Sequence, residues 1–366
     1  MPIYMDVHHV PGVEAQDLAE AHQKDIQIQG EFHCKAMTYW LDESRGLAFC
    51  LIEAPDKAGV EEMHRNSHGL VPHKVIEVNN ELVESFLGRI HDPENALISD
   101  KGLKVFSEPA LRIILLTEMT ELVLLRQRLG PGKAEDLISG HISIIRNELK
   151  SHAGREVEHS GNGFVVSFSS ASSAITCAMK IQKCICEGDR QLTGFRIAVN
   201  AGEPVGESDR LFGDALKLAR RLCSLNSQGR IIISSGLKEL VSRDYHRLDQ
   251  DHLLALPSQE ENLLGSLLDT LENHWQRPEF DVSEFCRAMV MSKSQLYRKT
   301  MAFWGVPPNL LIREFRLDKA RDILKKQSFN ISQTTFDSGF NSPSYFTKCF
   351  KKKFGMLPVS YQDSFQ

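Results

Sequence analysis

Between Asn330 and Pro358 the chain reads NISQTTFDSGFNSPSYFTKCFKKKFGMLP. Phe336, Phe340, Phe346, Phe350 and Phe354 recur at helical spacing, Gly339 interrupts the run, and Ser342-Pro343 restarts it. Glycine takes the left-handed backbone that a tight turn between helices needs. Ser-Pro opens a helix, because the hydroxyl caps and proline lacks only an N–H the first turn would leave unused. The stretch therefore predicts helix, turn, helix, with the five phenylalanines as core rather than as stacking platforms. DVSEFCRAMVMSKSQLYRKTMAFWG, from Asp281, repeats the pattern: Asp281 and Ser283 start one helix and Ser292 caps the next. NLLIREFRLDKARDILKKQ joins the two units as one long helix, with apolar positions at Leu310, Leu311, Phe315, Leu317, Ala320, Ile323 and Leu324. SQEENLLGSLLDTLENHW is an amphipathic helix ahead of them.

The whole chain of 366 residues carries a net charge of −5, which argues neither for nor against a nucleic-acid partner. Its distribution is more informative. Arg287 to Lys353 holds 14 Lys and Arg against 4 Asp and Glu, a net +10, so the rest sums to about −15. A basic pair of helix-turn-helix units can set two recognition helices into successive major grooves of double-stranded DNA. On the first such helix Lys293, Ser294, Gln295 and Arg298 are candidates for base edges. On the second, Asn341, Ser344, Tyr345, Thr347 and Lys348 are the candidates. Lys351, Lys352 and Lys353 suit phosphate or solvent. LIREFRLDKARDIL and FDSGFNSPSYFTKCFKKKFGMLPVSY resemble the linker helix and the signature of the DNA-binding domain of AraC/XylS transcription regulators.

Upstream, RIILLTEMTE reads as a strand, followed by one long helix to Ser151. EHSGNGFVVSF reads as a hairpin whose Gly161-Asn162-Gly163 turn draws on positive φ. A helix over Ala171 to Cys186, the strand FRIAVNAGEP, the helix GDALKLARRLCSL and the strand GRIIISS complete an alternating pattern. RIAVNAGEPVGESDRLFGDALKLARRL with GRIIISSGLKEL resembles the catalytic domain of class III nucleotide cyclases over about 140 residues. That resemblance implies six functional positions. The two metal carboxylates fall on Glu118, one methylene longer than the usual Asp, and on Asn162, a neutral amide that binds Mg²⁺ weakly. The base-recognition lysine falls on Glu158 and its partner position on Asp214. The transition-state asparagine falls on Lys217 and the arginine on Arg221. Gly161, Gly163, Gly202, Gly206, Gly213, Ala219 and Gly229 are retained. The implied reading is a scaffold without nucleotide turnover, kept for dimerisation.

At the front, PIYMDVHHV, AMTYWLD, GLAFCLIEAP and HKVIEV read as strands, with helices at Val13 to Ile28 and Lys57 to Ser67: the ferredoxin-like order βαββαβ. Seven of the 14 histidines lie here: His8, His9, His22, His33, His64, His68 and His73. His64 and His68 share a helix face, a spacing that suits metal capture and equally a pair of surface histidines. His8 and His9 point to opposite faces of a strand. YMDVHHVPG, TYWLDESRGLAFCLIEAP and MHRNSHGLVPHKVIEV resemble a small ferredoxin-like family of bacterial nickel-binding proteins. The resemblance carries over His64 and His68, and more weakly Asp6, His8, His9, His33 and Glu53. Imidazole-rich sites suit nickel, zinc or copper alike. A small organic ligand is the other occupant to weigh.

Together these features predict an α+β multidomain chain. Residues 1–78 form a ferredoxin-like metal or ligand sensor, and 79–109 a connector with a helix from Glu81 to Ile90. Residues 110–256 form a degenerate cyclase-like α/β domain, and 257–366 an all-α double helix-turn-helix domain. The eight cysteines show no CxxC pairing, and no basic-then-apolar leader or long apolar run occurs, so a cytoplasmic protein with reduced thiols and no membrane span is expected. The expected function is sequence-specific DNA-binding regulation by a homodimer answering to a transition metal or small ligand. The alternatives are a nucleotide-responsive regulator and a divergent cyclase tethered to DNA.

Overall fold

The computed structural model describes residues 1–120, 122–186, 194–225, 229–242, 251–326 and 330–363. The first unit runs β1 (Ile3–His9), α1 (Ala15–Ile28), a 3-10 turn (Gln29–Phe32), β2 (Lys35–Asp42), β3 (Leu47–Glu53), α2 (Lys57–Ser67) and β4 (Lys74–Val78). Its antiparallel sheet has the order β2-β3-β1-β4, the ferredoxin-like arrangement expected. Alternation along the strands splits the side chains between two buried faces. Tyr4, Tyr39, Leu41, Cys50 and Ile52 pack with Leu18 of α1 and with Val60 and Met63 of α2. Met5, Val7, Trp40, Phe49, Leu51 and Ile76 face the rest of the molecule.

That second face rests on α3 (Asn80–Leu87), through Val83, Phe86 and Leu87. α3 stops short of the expected Ile90, because Gly88 adopts φ 87° and closes the helix. The buried Arg112 guanidinium then satisfies its last carbonyls, at 3.2 Å from the Phe86 oxygen and 3.1 Å from that of Leu87. A small hairpin, β5 (Leu97–Ile98) and β6 (Lys104–Val105), completes the connector.

The middle unit runs β7 (Arg112–Met119), α4 (Leu122–Leu129), α5 (Pro131–Ser151), β8 (Arg155–Ser160), β9 (Gly163–Phe168), α6 (Ala171–Cys186), β10 (Phe195–Gly202), α7 (Gly213–Cys223), β11 (Ile231–Ile233), α8 (Ser235–Leu240) and β12 (Leu253–Ala255). The helix expected to run unbroken to Ser151 is two helices, since Gly130 at φ 80° and Pro131 end one and begin the next. The six-stranded sheet has the order β12-β11-β10-β7-β9-β8 and is parallel only between β10, β11 and β12. One face packs on α5, α6 and α8. The other, through Ile114, Leu116, Val165, Ala198 and Ile232, packs within one core with α3, α7 and a C-terminal helix, α9 (Ser258–His274).

The hairpin between β8 and β9 differs from expectation in one respect. Neither Gly161 nor Gly163 has a positive φ. Gly163 is needed for close approach instead: a Cβ there would lie 2.0 Å from the Thr117 carbonyl oxygen on β7.

After α9 come α10 (Val282–Ala288), α11 (Lys293–Trp304), α12 (Pro308–Lys325), α13 (Ile331–Asp337), α14 (Pro343–Phe354) and α15 (Pro358–Asp363). Asp281, Ser292 and Ser342 cap α10, α11 and α14 through their side chains. Phe340, Phe346, Phe350 and Phe354 are core, but Phe336 is 51% exposed. The buried residues of α13 are Thr334 and Thr335, and the helix has turned roughly 200° from Thr334 by Phe336, which faces outward. No helix among the described residues is long and apolar enough to cross a membrane.

Candidate metal centre and nucleic-acid interface

Strand alternation puts Asp6 and His8 of β1 on the face covered by the helices, and α2 buries Val60, Met63 and His64 along one stripe. His64, fully buried, comes to rest between two carboxylates. Its Nε2 lies 2.9 Å from Asp6 Oδ2, and its Nδ1 lies 3.3 Å from Asp25 Oδ2 of α1. His68, at the C-terminal cap of α2, brings Nε2 to 3.0 Å from His64 Nδ1 and 3.3 Å from Asp25 Oδ1. His8 Nε2 stands 3.2 Å from Asp6 Oδ1, misaligned for a hydrogen bond, and the Cys50 main-chain N–H donates to that same oxygen at 3.1 Å. Two groups of metal-ligand type result: Asp6, His8, Cys50 and His64, and Asp25, His64 and His68.

Burial alone would raise the Asp6 and Asp25 carboxyls, yet the facing imidazoles hold both well below the usual carboxylate range. Burial likewise opposes charge on His64, but Asp6 and Asp25 outweigh it and raise the imidazole to about 10. Burial, then Asp6, pushes the Cys50 thiol up. Beside the cluster lies a cavity of about 10 Å³, lined in part by His8, His22, Asp25, Cys50 and His68. It has room for one water-sized particle. Two ring nitrogens on its lining face carboxylates without an aligned hydrogen bond: His8 Nε2 lies 3.2 Å from Asp6 Oδ1 and His22 Nε2 3.6 Å from Asp92 Oδ2.

The fold thus gathers His8, His64, His68 and Asp6, and leaves three expected residues outside. His9 points to the other face of β1, exposed, with its ring 4.3 Å from that of His73. His33 is exposed at a left-handed position, φ 52°. Glu53 pairs with the amino terminus at 3.4 Å. Sequence reading missed Asp25 and Cys50. Their contacts with β1 and α2 are long-range, and no local spacing announces them.

The six cyclase-type positions line two adjoining clefts of about 1470 and 340 Å³, both bordered by Glu158. Glu118 on β7 and Asn162 in the hairpin border the smaller one. Asn162 accepts from the Ser160 hydroxyl at 3.0 Å, and burial raises the Glu118 carboxyl against the pull of Arg196. Asp214 accepts from the Ser208 N–H at 3.1 Å. Lys217 and Arg221, both on α7, pair with Asp269 of α9, Lys217 at 3.2 Å. Among the described residues, neither metal-type group lies in this unit.

On α11, Lys293, Ser294, Gln295 and Arg298 are exposed. The Gln295 carbonyl is already engaged, accepting from the Ser292 N–H at 2.8 Å in a capping box. On α14 and its approach Asn341, Ser344, Tyr345 and Lys348 are exposed and Thr347 is half-buried. Lys352 is exposed, but Lys353 differs from the reading that assigned it to phosphate or solvent. It binds Asp318 at 2.8 Å and Glu314 at 3.1 Å, fastening α14 to α12. Arg316 of α12 donates to the main-chain oxygens of Trp275, Arg277 and Phe280, which closes α9 against the first helix-turn-helix unit.

Residues 4–78 match the family model described as nickel responsive protein SCO4226-like, and residues 285–364 match one described as helix-turn-helix domain. The chain is 36% identical over 112 residues to histidine kinase P4 of Formosa agariphila, covering 31% of this chain and 8% of that protein. It is 27% identical over 132 residues to the HTH-type transcriptional regulator MtrA of Neisseria gonorrhoeae, covering 36% and 44% respectively. The chain thus spans less than half the length of these two relatives. The structure of the guanylyl cyclase Cya2 aligns with 35% of this chain and 77% of that one, at 23% identity and a TM-score of 0.30.

Proposed function

We propose that a chain joining a domain of the nickel-responsive type to an AraC-type helix-turn-helix module is a DNA-binding transcription regulator whose first domain takes up a divalent transition ion. One observation carries the DNA reading. Two capped helix-turn-helix units, joined by α12, turn Lys293, Ser294, Arg298, Asn341, Ser344, Tyr345 and Lys348 to solvent while their aromatic core stays buried. Arg298 suits guanine, and Lys348 and Lys352 suit phosphate.

Support for the metal is the chemistry of the donor set. Asp6, His8, Cys50 and His64, and likewise Asp25, His64 and His68, supply carboxylate, imidazole and thiol donors that lie within 4.8 Å of one another in each group. A bound divalent ion would supply fixed positive charge between β1, α1 and α2. The segment that follows His68 is a route outward. The Leu70 N–H donates to His68 Nδ1 at 3.2 Å, and the His73 N–H donates to the Val7 oxygen at 2.8 Å. Lys74 reaches the Glu207 oxygen at 2.5 Å and Asp209 at 3.2 Å, on the loop that leads into α7. α7 in turn holds α9. An ion that fits one arrangement of this segment better than another shifts the placement of the DNA-reading module.

In this reading the middle unit is a scaffold that turns over no nucleotide, and the active protein is a homodimer in the cytoplasm. Pairing uses surface other than the part of the sheet that α3, α7 and α9 already cover. The test is selection of binding sites from random duplexes by the full chain, with and without nickel. Two short motifs about one helical turn apart are expected from each chain. Recovery of no enriched motif would sink the DNA reading, and identical recovery with and without metal would sink metal control.

A further inference from the structure

We infer that His64 bridges two divalent transition ions, one closed in by Asp6, His8 and Cys50 and the other held by Asp25 and His68 with a position left open. This rests on the metal reading above and concerns how many ions the centre holds and how they are joined.

The two nitrogens of an imidazole point about 140° apart, so one ring cannot turn both toward a single ion. Each His64 nitrogen nevertheless has its own set of donors. On the Nε2 side stand Asp6 at 2.9 Å, His8 within 3.2 Å of Asp6, and Cys50, whose main chain holds Asp6. On the Nδ1 side stand His68 at 3.0 Å and Asp25 at 3.3 Å, themselves 3.3 Å apart. Metal–donor bonds of about 2.0 Å in a tetrahedral shell put neighbouring donors roughly 3.3 Å apart. The contacts on both sides are already close to that spacing. A bridging ring with such bonds at each nitrogen would hold the ions about 6 Å apart.

The sides differ in kind. Asp6, His8, Cys50 and His64 offer four donors of mixed O, N and S type within 4.8 Å of one another, the number that closed sites use. Asp25, His64 and His68 make three donors, as sites with an exchangeable position have. His8, 4% exposed, has its Nε2 3.2 Å from Asp6 Oδ1 but outside hydrogen-bond alignment, and it borders the small cavity shared with Cys50, Asp25 and His68. On loading, each ion replaces one proton of the His64 ring. The closed site also displaces the Cys50 thiol proton, and the protons pass to solvent.

The experiment uses the full chain without an affinity tag, dialysed in turn against Cu²⁺, Zn²⁺ and Ni²⁺. Ions per chain are counted, and electron spins are quantified in the copper form. Two ions per chain are expected, with a copper signal well below two spins because the bridged pair couples magnetically. His68→Ala should leave one ion and restore a full one-spin signal. Cys50→Ser should keep the count and shift the optical spectrum of a cobalt form by removing the thiolate-to-metal band. His64→Ala should lose the coupling entirely. Should that variant not fold, His68→Ala and Asp25→Asn still decide the matter. One ion per chain, two uncoupled ions, or an ion lost on His9→Ala/His73→Ala would overturn the bridge and leave a simpler metal reading standing. No bound ion at all would overturn both.

Discussion

Val290 and Gly339 hold corresponding places in the two helix-turn-helix units, and both adopt positive φ, 53° and 74°. Glycine is at ease there and a β-branched residue is strained. At Gly339 the fold has a second reason: a Cβ would meet the Trp275 oxygen at 2.4 Å. Val290, 92% exposed, has no packing in return for its strain. Val290→Gly should therefore stabilise the chain by about 1 kcal/mol, and Gly339→Ala should destabilise it by roughly 2–3 kcal/mol. Denaturant midpoints of the two variants check this. A lower midpoint for Val290→Gly would mean the side chain has a role that the folded monomer does not show.

Asp269 is the point where α9 is tied to α7, through Lys217 and Arg221. The pairs are partly exposed, so Asp269→Ala should cost no more than about 1 kcal/mol of global stability. Its effect should be local. Amide exchange should quicken in α7 and α9 and stay unchanged in α5 and α6, which belong to the opposite face. Uniform quickening across the sheet would contradict this assignment.

The lysines of the last recognition helix should divide by role. Lys352→Ala should weaken binding to all duplexes about equally and reduce the slope of affinity against salt by about one contact. Lys353→Ala should lower thermal stability instead, since it removes the tie from α14 to Glu314 and Asp318. Arg298→Ala should cost roughly 1–3 kcal/mol at a single base pair and relax specificity there. Binding-site selection with each variant, beside melting curves, separates the three.

The metal-free first domain should be most stable in mildly acidic solution. His64 is raised from 6.5 to about 10 by Asp6 and Asp25 against the effect of burial. A raised imidazole contributes stability that is complete below its unfolded value and is lost as pH climbs from about 6.5 toward 10. Asp6 and Asp25, held low, contribute stability that is present above about 4 and is lost on further acidification. Metal affinity should move the opposite way and rise with pH, because ions compete with protons for the same nitrogens. Melting temperatures of apo and loaded protein between pH 5 and 9 test both signs.

No cyclic nucleotide should form with Mg²⁺ or Mn²⁺. Asn162 offers an amide where a carboxylate is needed, Glu158 reverses a charge, and Arg221 is already engaged by Asp269. Steady product formation that Arg221→Ala abolishes would reverse this reading.

Local signals carry much of this protein. Strand alternation and helical spacing fix the ferredoxin-like unit, and the paired caps and aromatic run fix the two helix-turn-helix units, because each depends on neighbours within a few residues. The polar faces of α11 and α14 are legible for the same reason: a residue's place around a helix follows from its number. Where local rules compete the reading slips. Gly130-Pro131 divides a helix whose apolar pattern runs on, and Phe336 keeps the spacing of its fellows while its short helix turns it to solvent.

The sequence by itself determined the kinds of element, their order, and the chemical types available: seven histidines at the front, a basic helical end, and an altered set of cyclase-type positions. Only the tertiary structure decided which of them meet. Asp25 reaches His64 because α1 and α2 lie side by side on one sheet face, and Cys50 reaches Asp6 because β3 pairs with β1 in the register that sets those two residues opposite. Lys217 and Arg221 turn to α9 for a partner because α7 and α9 share one core. Such contacts depend on how faces pack over separations of tens of residues, and neither periodicity nor spacing along the chain encodes that packing directly.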